Sequence, residues 1–149
     1  MENPVEHFLD IITDYMIRNN MTPSFFAREI GCLERCVARW LNKTNTPSLE
    51  YVIIVADYMK CSVDYLFGLT GLPDISLIKP RSSFAERLER LILTTGISKN
   101  KLSKICGVTS STISKWILRG QLPKPDVVCS LAGHFGCSVD YLVGRTESL

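Results

Sequence analysis

The sequence predicts an all-α protein of two tandem five-helix domains, and three observations predict it. No stretch alternates apolar and polar residues with period two, so no sheet is expected. Apolar residues recur instead at helical spacing, as Ile113, Trp116 and Ile117 do. Finally, the chain is written twice: positions 8–70 align without a gap onto 84–146, at a constant offset of 76. Identical pairs include Phe8/Phe84, Gly31/Gly107, Trp40/Trp116, Pro47/Pro123 and Ala56/Ala132. The run Cys61-Ser62-Val63-Asp64-Tyr65-Leu66 returns as Cys137-Ser138-Val139-Asp140-Tyr141-Leu142. Domains are expected over 1–70 and 84–149, joined by a linker over 71–83.

Each helix has its own reason in the sequence. The first opens with Asn3-Pro4-Val5-Glu6 in copy one and Ser83-Phe84-Ala85-Glu86 in copy two. Both put a capping side chain three residues before a Glu, and Pro4 loses nothing at a first helical position. Helix two starts at Thr22 or Ser98 and stops at Gly31 or Gly107. Helix three is expected over 34–41 and 110–118. Thr109 can cap it in copy two, whereas Leu33 stands at the cap place in copy one, where the helix should start less well. Trp40 and Trp116 fall on its buried face. Helix four follows Pro47 or Pro123 and turns Val52, Val55 and Ala56 inward, matched by Val128, Leu131 and Ala132. Ser62 and Ser138 can cap helix five, which carries Tyr65-Leu66 and Tyr141-Leu142 into the core. Helices two and three, joined at a Gly turn, make a helix-turn-helix. The linker holds two prolines, yet its Leu72, Ile75, Leu77 and Ile78 indicate that part of it packs on a domain.

Composition narrows the function. The 149 residues are 46% hydrophobic with a net charge of +2, which argues neither for nor against nucleic acid. The copies differ, however. Residues 1–70 carry six Lys and Arg against nine Asp and Glu, a net of −3; residues 84–149 carry nine against five, a net of +4. No basic stretch followed by an apolar run opens the chain, and no apolar run nears the ~20 residues that span a bilayer. A cytoplasmic protein without a membrane partner is the expectation. Six cysteines contain no C-x-x-C pair, and the trio Cys129, His134 and Cys137 lacks a fourth ligand, so no metal is expected. Most thiols read as small core hydrophobes. His7 and His134 stand in no acid–nucleophile pattern, and no Gly-rich phosphate loop or nucleophile elbow occurs. An enzyme, a cofactor and a small-molecule substrate are therefore all unexpected.

A five-helix unit with this helix-turn-helix, a Trp late in helix three, a Pro after it and a closing S-V-D-Y-L-x-G resembles the lambda-repressor-like, Xre-type DNA-binding family. The resemblance covers both copies. It implies a transcriptional regulator, of which repressors are typical, that binds double-stranded DNA with helices 34–41 and 110–118 in the major groove. Carried over residue by residue, it makes Ser110, Ser111 and Lys115 the base-facing positions of copy two, where Lys115 can donate to guanine O6 and N7. Lys99 stands where the family usually has a backbone-touching Gln, and Lys101, Lys104 and Arg119 become further phosphate contacts. In copy one the base-facing positions are Glu34, Arg35 and Arg39, with Lys43 on the same face, and Pro23 takes the Gln place. The alternative is a protein-interaction module, an antitoxin or regulator partner, that keeps the fold. The cations Lys99, Lys115 and Arg119 favour DNA. Two assemblies stay open. A 13-residue linker extends about 3.3–3.6 Å per residue, enough for one chain to span half-sites about 34–36 Å apart. A homodimer with copy one as its assembly body is the other.

Overall fold

Short polar side chains set the helix starts, because each satisfies a backbone N–H that the first turn leaves unpaired. The computed structural model describes residues 3–149 and divides into two units, one ending at Asp74 and one beginning at Ile75. The first unit runs α1 (Pro4–Arg18), α2 (Pro23–Ile30), α3 (Cys36–Leu41), α4 (Leu49–Met59) and α5 (Val63–Leu66). Asn3 Oδ1 accepts from Val5 N at 2.9 Å, Thr22 Oγ1 from Phe25 N at 3.1 Å, and Ser62 Oγ from Tyr65 N at 2.9 Å. The core gathers Phe8, Ile12, Phe26, Val37, Trp40, Leu49, Val52, Val55 and Leu66, all buried. Phe8 meets the Trp40 indole edge-on at 6.0 Å between centroids, the arrangement the ring quadrupoles favour.

The second unit repeats the order as α6 (Phe84–Thr95), α7 (Lys99–Cys106), α8 (Ser110–Arg119), α9 (Pro125–Phe135) and α10 (Val139–Leu142). Ser83, Ser98, Thr109 and Ser138 cap four of these helices. Phe84 and Trp116 reproduce the edge-on contact at 6.0 Å. Two arginines set this unit apart. Arg87 and Arg145 are both 1% exposed, at places that Ile11 and Leu69 take in the first repeat. Arg87 Nη1 donates to the carbonyls of Tyr141 (3.2 Å) and Thr146 (3.1 Å), and Nη2 to Ser82 Oγ (3.3 Å) and Glu147 Oε1 (3.1 Å). Its guanidinium also stacks 4.1 Å from the Tyr141 ring centroid. Arg145 pairs with the buried Asp140 carboxylate. Among the described residues there is no strand, and no helix is long and apolar enough to cross a membrane.

The segment between α5 and α6 is bonded along most of its length. Pro73 O accepts from Ser62 N at 2.8 Å within the first unit. Ser76 O accepts from Thr146 Oγ1 at 2.8 Å, and Ile78 N and Ser82 N donate to the carbonyls of Arg145 and Gly144 at 3.0 and 3.2 Å, within the second. Pro73 is thus bonded within the first unit, and Ser76, Ile78 and Ser82 within the second.

Candidate nucleic-acid interface

The two helix-turn-helix hairpins begin alike and then part. Gly31 and Gly107 end α2 and α7 with φ of +84° and +70°, a conformation that glycine reaches without strain. The next residue closes the turn in both units, Cys32 N donating to Ala27 O at 2.9 Å and Val108 N to Ser103 O at 3.0 Å. One residue later the units diverge. Thr109 Oγ1 accepts from Thr112 N at 3.1 Å and lies 2.9 Å from the Thr112 hydroxyl, so α8 begins at Ser110. Its first full-turn bond runs from Ile113 N to Thr109 O. In the first unit the Leu33 side chain has no acceptor to offer, and the residue sits 72% exposed. The first such bond there runs from Arg39 N to Arg35 O, and α3 begins only at Cys36, with Arg35 at the cap position and no capping side chain.

That overturns one expected boundary: helix three of copy one covers 36–41, not 34–41. Glu34 and Arg35 lie in the turn before it, and only Arg39 of the three expected base-facing residues rides on the helix. In copy two the helix extends one residue past the expected end, to Arg119, where Gly120 stops it. Ser111, Lys115 and Arg119 are exposed along α8, and Ser110 is half-buried. Lys99 and Lys101 are exposed in the first turn of α7. Lys101 also joins Thr95, Gly96, Ile97, Ser98 and His134 around an open surface depression.

Copy one's charges are partly engaged. Arg28 Nε stands 3.5 Å from Glu34 Oε1, and Lys43 Nζ 4.0 Å from Glu6 Oε1, all four side chains being more than half exposed. The Arg28 guanidinium thus offsets the charge of the Glu34 carboxylate. Arg28 was missed as a candidate. The repeat could have found it, since it aligns with Lys104.

One pattern separates the hairpin helices from the rest. The first turns of α1, α4, α5, α6, α9 and α10 each carry an acid: Glu6, Glu50, Asp64, Glu86, Asp126 and Asp140. The first turns of α2, α3, α7 and α8 carry none. An acid at a helix N-terminus gains about 0.3–1 kcal/mol from the macrodipole, and a cation loses a comparable amount. Lys99 and Lys101 at the start of α7 are thus unfavourable for the isolated helix. Helix starts without acids and, in α7, with cations leave the uncapped N–H groups and positive dipole ends without a negative side chain in the first turn.

The thiols belong to two environments. Cys61 is buried and the other five are half-buried, so the core reading fits Cys61 alone in full. Burial pushes the Cys106 thiol up. Among the described residues no group of three or more His, Cys, Asp or Glu is placed to hold a metal ion.

Comparison with known proteins bears directly on this hairpin. Residues 86–149 match the bacteriophage CI repressor helix-turn-helix domain. The second unit is therefore similar to that repressor domain over all but its first residues. Among solved structures, the P22 c2 repressor protein in complex with synthetic operator 9T is 27% identical, over 42% of this chain and 94% of that one, with a TM-score of 0.40. The DNA-binding domain of the P22 c2 repressor in solution is 26% identical over 43% and 84%, also with a TM-score of 0.40. A transcriptional regulator from Listeria innocua is 26% identical over 46% and 64%, with a TM-score of 0.42. No curated protein matches the sequence.

Proposed function

We propose that the chain is a sequence-specific DNA-binding transcription regulator that lays α8 in the major groove, with Ser110, Ser111 and Lys115 toward base edges. The observation that carries this reading is the absence of acids from the first turns of α2, α3, α7 and α8 while all six other helices keep one. A module that bound only protein would have no use for that selective clearance. The match of residues 86–149 to a repressor's helix-turn-helix supports it. Lys99, Lys101 and Arg119 serve as phosphate contacts that set register.

The two units divide the work. The second has the capped helix three and the cations of α7, and it supplies most of the salt-sensitive affinity. The first contributes Arg35, Arg39 and Lys43, with Glu34 held by Arg28. Because the readers differ, one chain engages an asymmetric site. Selection of genomic fragments with the full chain, followed by footprinting, tests this. Enrichment of one asymmetric sequence is the expected result. A perfect palindrome occupied by two chains, with Arg35 and Arg39 dispensable, makes the first unit an assembly body instead. Enrichment of nothing leaves the interaction-module reading in its place.

Lys99 gives a sharper number. Its replacement by Ala removes one phosphate contact, so the slope of log K against log salt should fall by about one unit while thermal stability is unchanged or slightly raised. An unchanged slope removes Lys99 from the interface.

A further inference from the structure

Four residues of α8 are exposed: Ser111, Lys115, Leu118 and Arg119. They stand at i, i+4, i+7 and i+8, the spacing that keeps side chains on one face of a helix, and Ile113 and Trp116 are buried on the other. Three of the four are polar or charged. Leu118 is neither, and at 79% it is the most exposed large hydrophobic residue among the described residues. The repeat does not demand it. Asn42 stands at the corresponding place of the first unit, where α3 has already ended, and its Oδ1 accepts from Thr44 N at 3.0 Å. The longer α8 therefore carries an apolar side chain on the stripe of Ser111 and Lys115, and the first unit has no equivalent.

We propose that Leu118 is a specificity-determining residue whose side chain packs on the C5-methyl group of a thymine, and this rests on the proposed placement of α8 in the major groove. The groups that base edges present there are hydrogen-bond donors and acceptors, with the thymine methyl as the apolar exception. A leucine beside guanine, adenine or cytosine covers those polar groups without replacing their bonds to water, which costs free energy. Beside thymine it trades exposed apolar surface for apolar contact. The helix fixes the register. A rise of about 1.5 Å per residue puts Leu118 about 4.5 Å beyond Lys115 along the axis, and base pairs follow one another at about 3.4 Å. The thymine therefore lies one or two base pairs from the pair that Lys115 reads.

Two neighbours on one stripe thus read opposite chemistry. Lys115 selects acceptors such as guanine O6 and N7, and Leu118 selects the base edge that carries an apolar group. With Asn42 at its place in the first unit, the thymine requirement falls in one half of the site alone.

The test measures fluorescence anisotropy of the full chain on its selected duplex, with each thymine replaced singly by deoxyuridine. That replacement removes the methyl group and leaves base pairing intact. At one position, one or two base pairs from the one that Lys115→Ala relaxes, it should weaken binding about fourfold, the effect of withdrawing one buried carbon. Leu118→Ala should bind the thymine and deoxyuridine duplexes equally. The side chain removed is exposed, so the variant should keep its fold, and the replacements read on the unmodified chain stand without it. A selected site with no thymine at those positions overturns the proposal. So does a selected duplex that tolerates every replacement, or a loss that persists undiminished in Leu118→Ala. Each of these leaves α8 in the groove while the unmodified chain still prefers the selected duplex to a scrambled one. Without that preference the placement of α8 falls, and the thymine contact falls with it.

Discussion

Replacing Gly144 by Ala should remove most of the second unit's stability. Gly144 has φ +80°, and a Cβ built there would lie 1.7 Å from Ser82 O and 2.5 Å from Ser82 C. Both are backbone atoms, so no side-chain rotation relieves the overlap. The strand-like approach that creates it is held by Ser82 N donating to Gly144 O and Ile78 N to Arg145 O. Relief means separating residues 78–82 from 144–145, which also opens the Arg87 site at Ser82 and Thr146. The cost should exceed about 4 kcal/mol, the range that marks a specific structural fault, against a domain total of about 5–15 kcal/mol. The repeat supplies the control. A Cβ on Gly68 would meet the His7 ring at 2.8 Å, a side chain that can move away. Gly68→Ala should therefore cost about 1–3 kcal/mol, mostly backbone strain. Native-state hydrogen exchange read separately for residues of each unit checks both, because a two-unit chain need not unfold in one step. Equal losses for the two variants would contradict the account.

The second large effect concerns Asp140. Its carboxylate pairs with Arg145, and their side chains are 2% and 1% exposed. Such a pair adds little over an apolar core, but removing one partner strands a charge out of water and costs about 3–5 kcal/mol. Asp140→Ala should lower the second unit's stability by that amount. Asp14→Ala, which breaks an ion pair with Arg18 whose side chains are 58% and 76% exposed, should cost less than about 1 kcal/mol. Urea titrations followed by the same residue-level exchange distinguish them. Comparable effects would mean that the buried pair is not the source of stability assigned to it.

The contrast between these residues also shows what a sequence reader can see. Caps were legible because they are local: Thr22, Ser62, Ser98, Thr109 and Ser138 each bond an N–H three residues on. The weak start of α3 was legible for the same reason, in the Leu33 that replaces Thr109, although the loss of two residues from its first turn was not. The indole cores were legible from spacing. Arg87 and Arg145 were not. Charged residues are usually exposed, and what allows Arg87 inside is a set of carbonyls and side chains 54 to 60 positions away, together with Ser82 from the segment between the helices. The pairing of Glu34 with Arg28 was likewise illegible, because it crosses the turn and depends on the hairpin's geometry. The acid-free helix starts needed the helix boundaries first.

The central claim is that α8 reads DNA sequence, and Lys115 tests it most directly. Fluorescence anisotropy of the full chain on its selected duplex and on a scrambled duplex, each with Lys115 and with Lys115→Ala, measures specificity rather than charge. The account predicts a selected duplex bound about 10³-fold or more tighter than the scrambled one. It also predicts that Lys115→Ala weakens the selected duplex by about 1–3 kcal/mol, relaxing preference at one position while leaving the scrambled duplex far less affected. Equal weakening on both duplexes would make Lys115 a phosphate contact, and equal affinity of the unmodified chain for both would contradict sequence reading by α8.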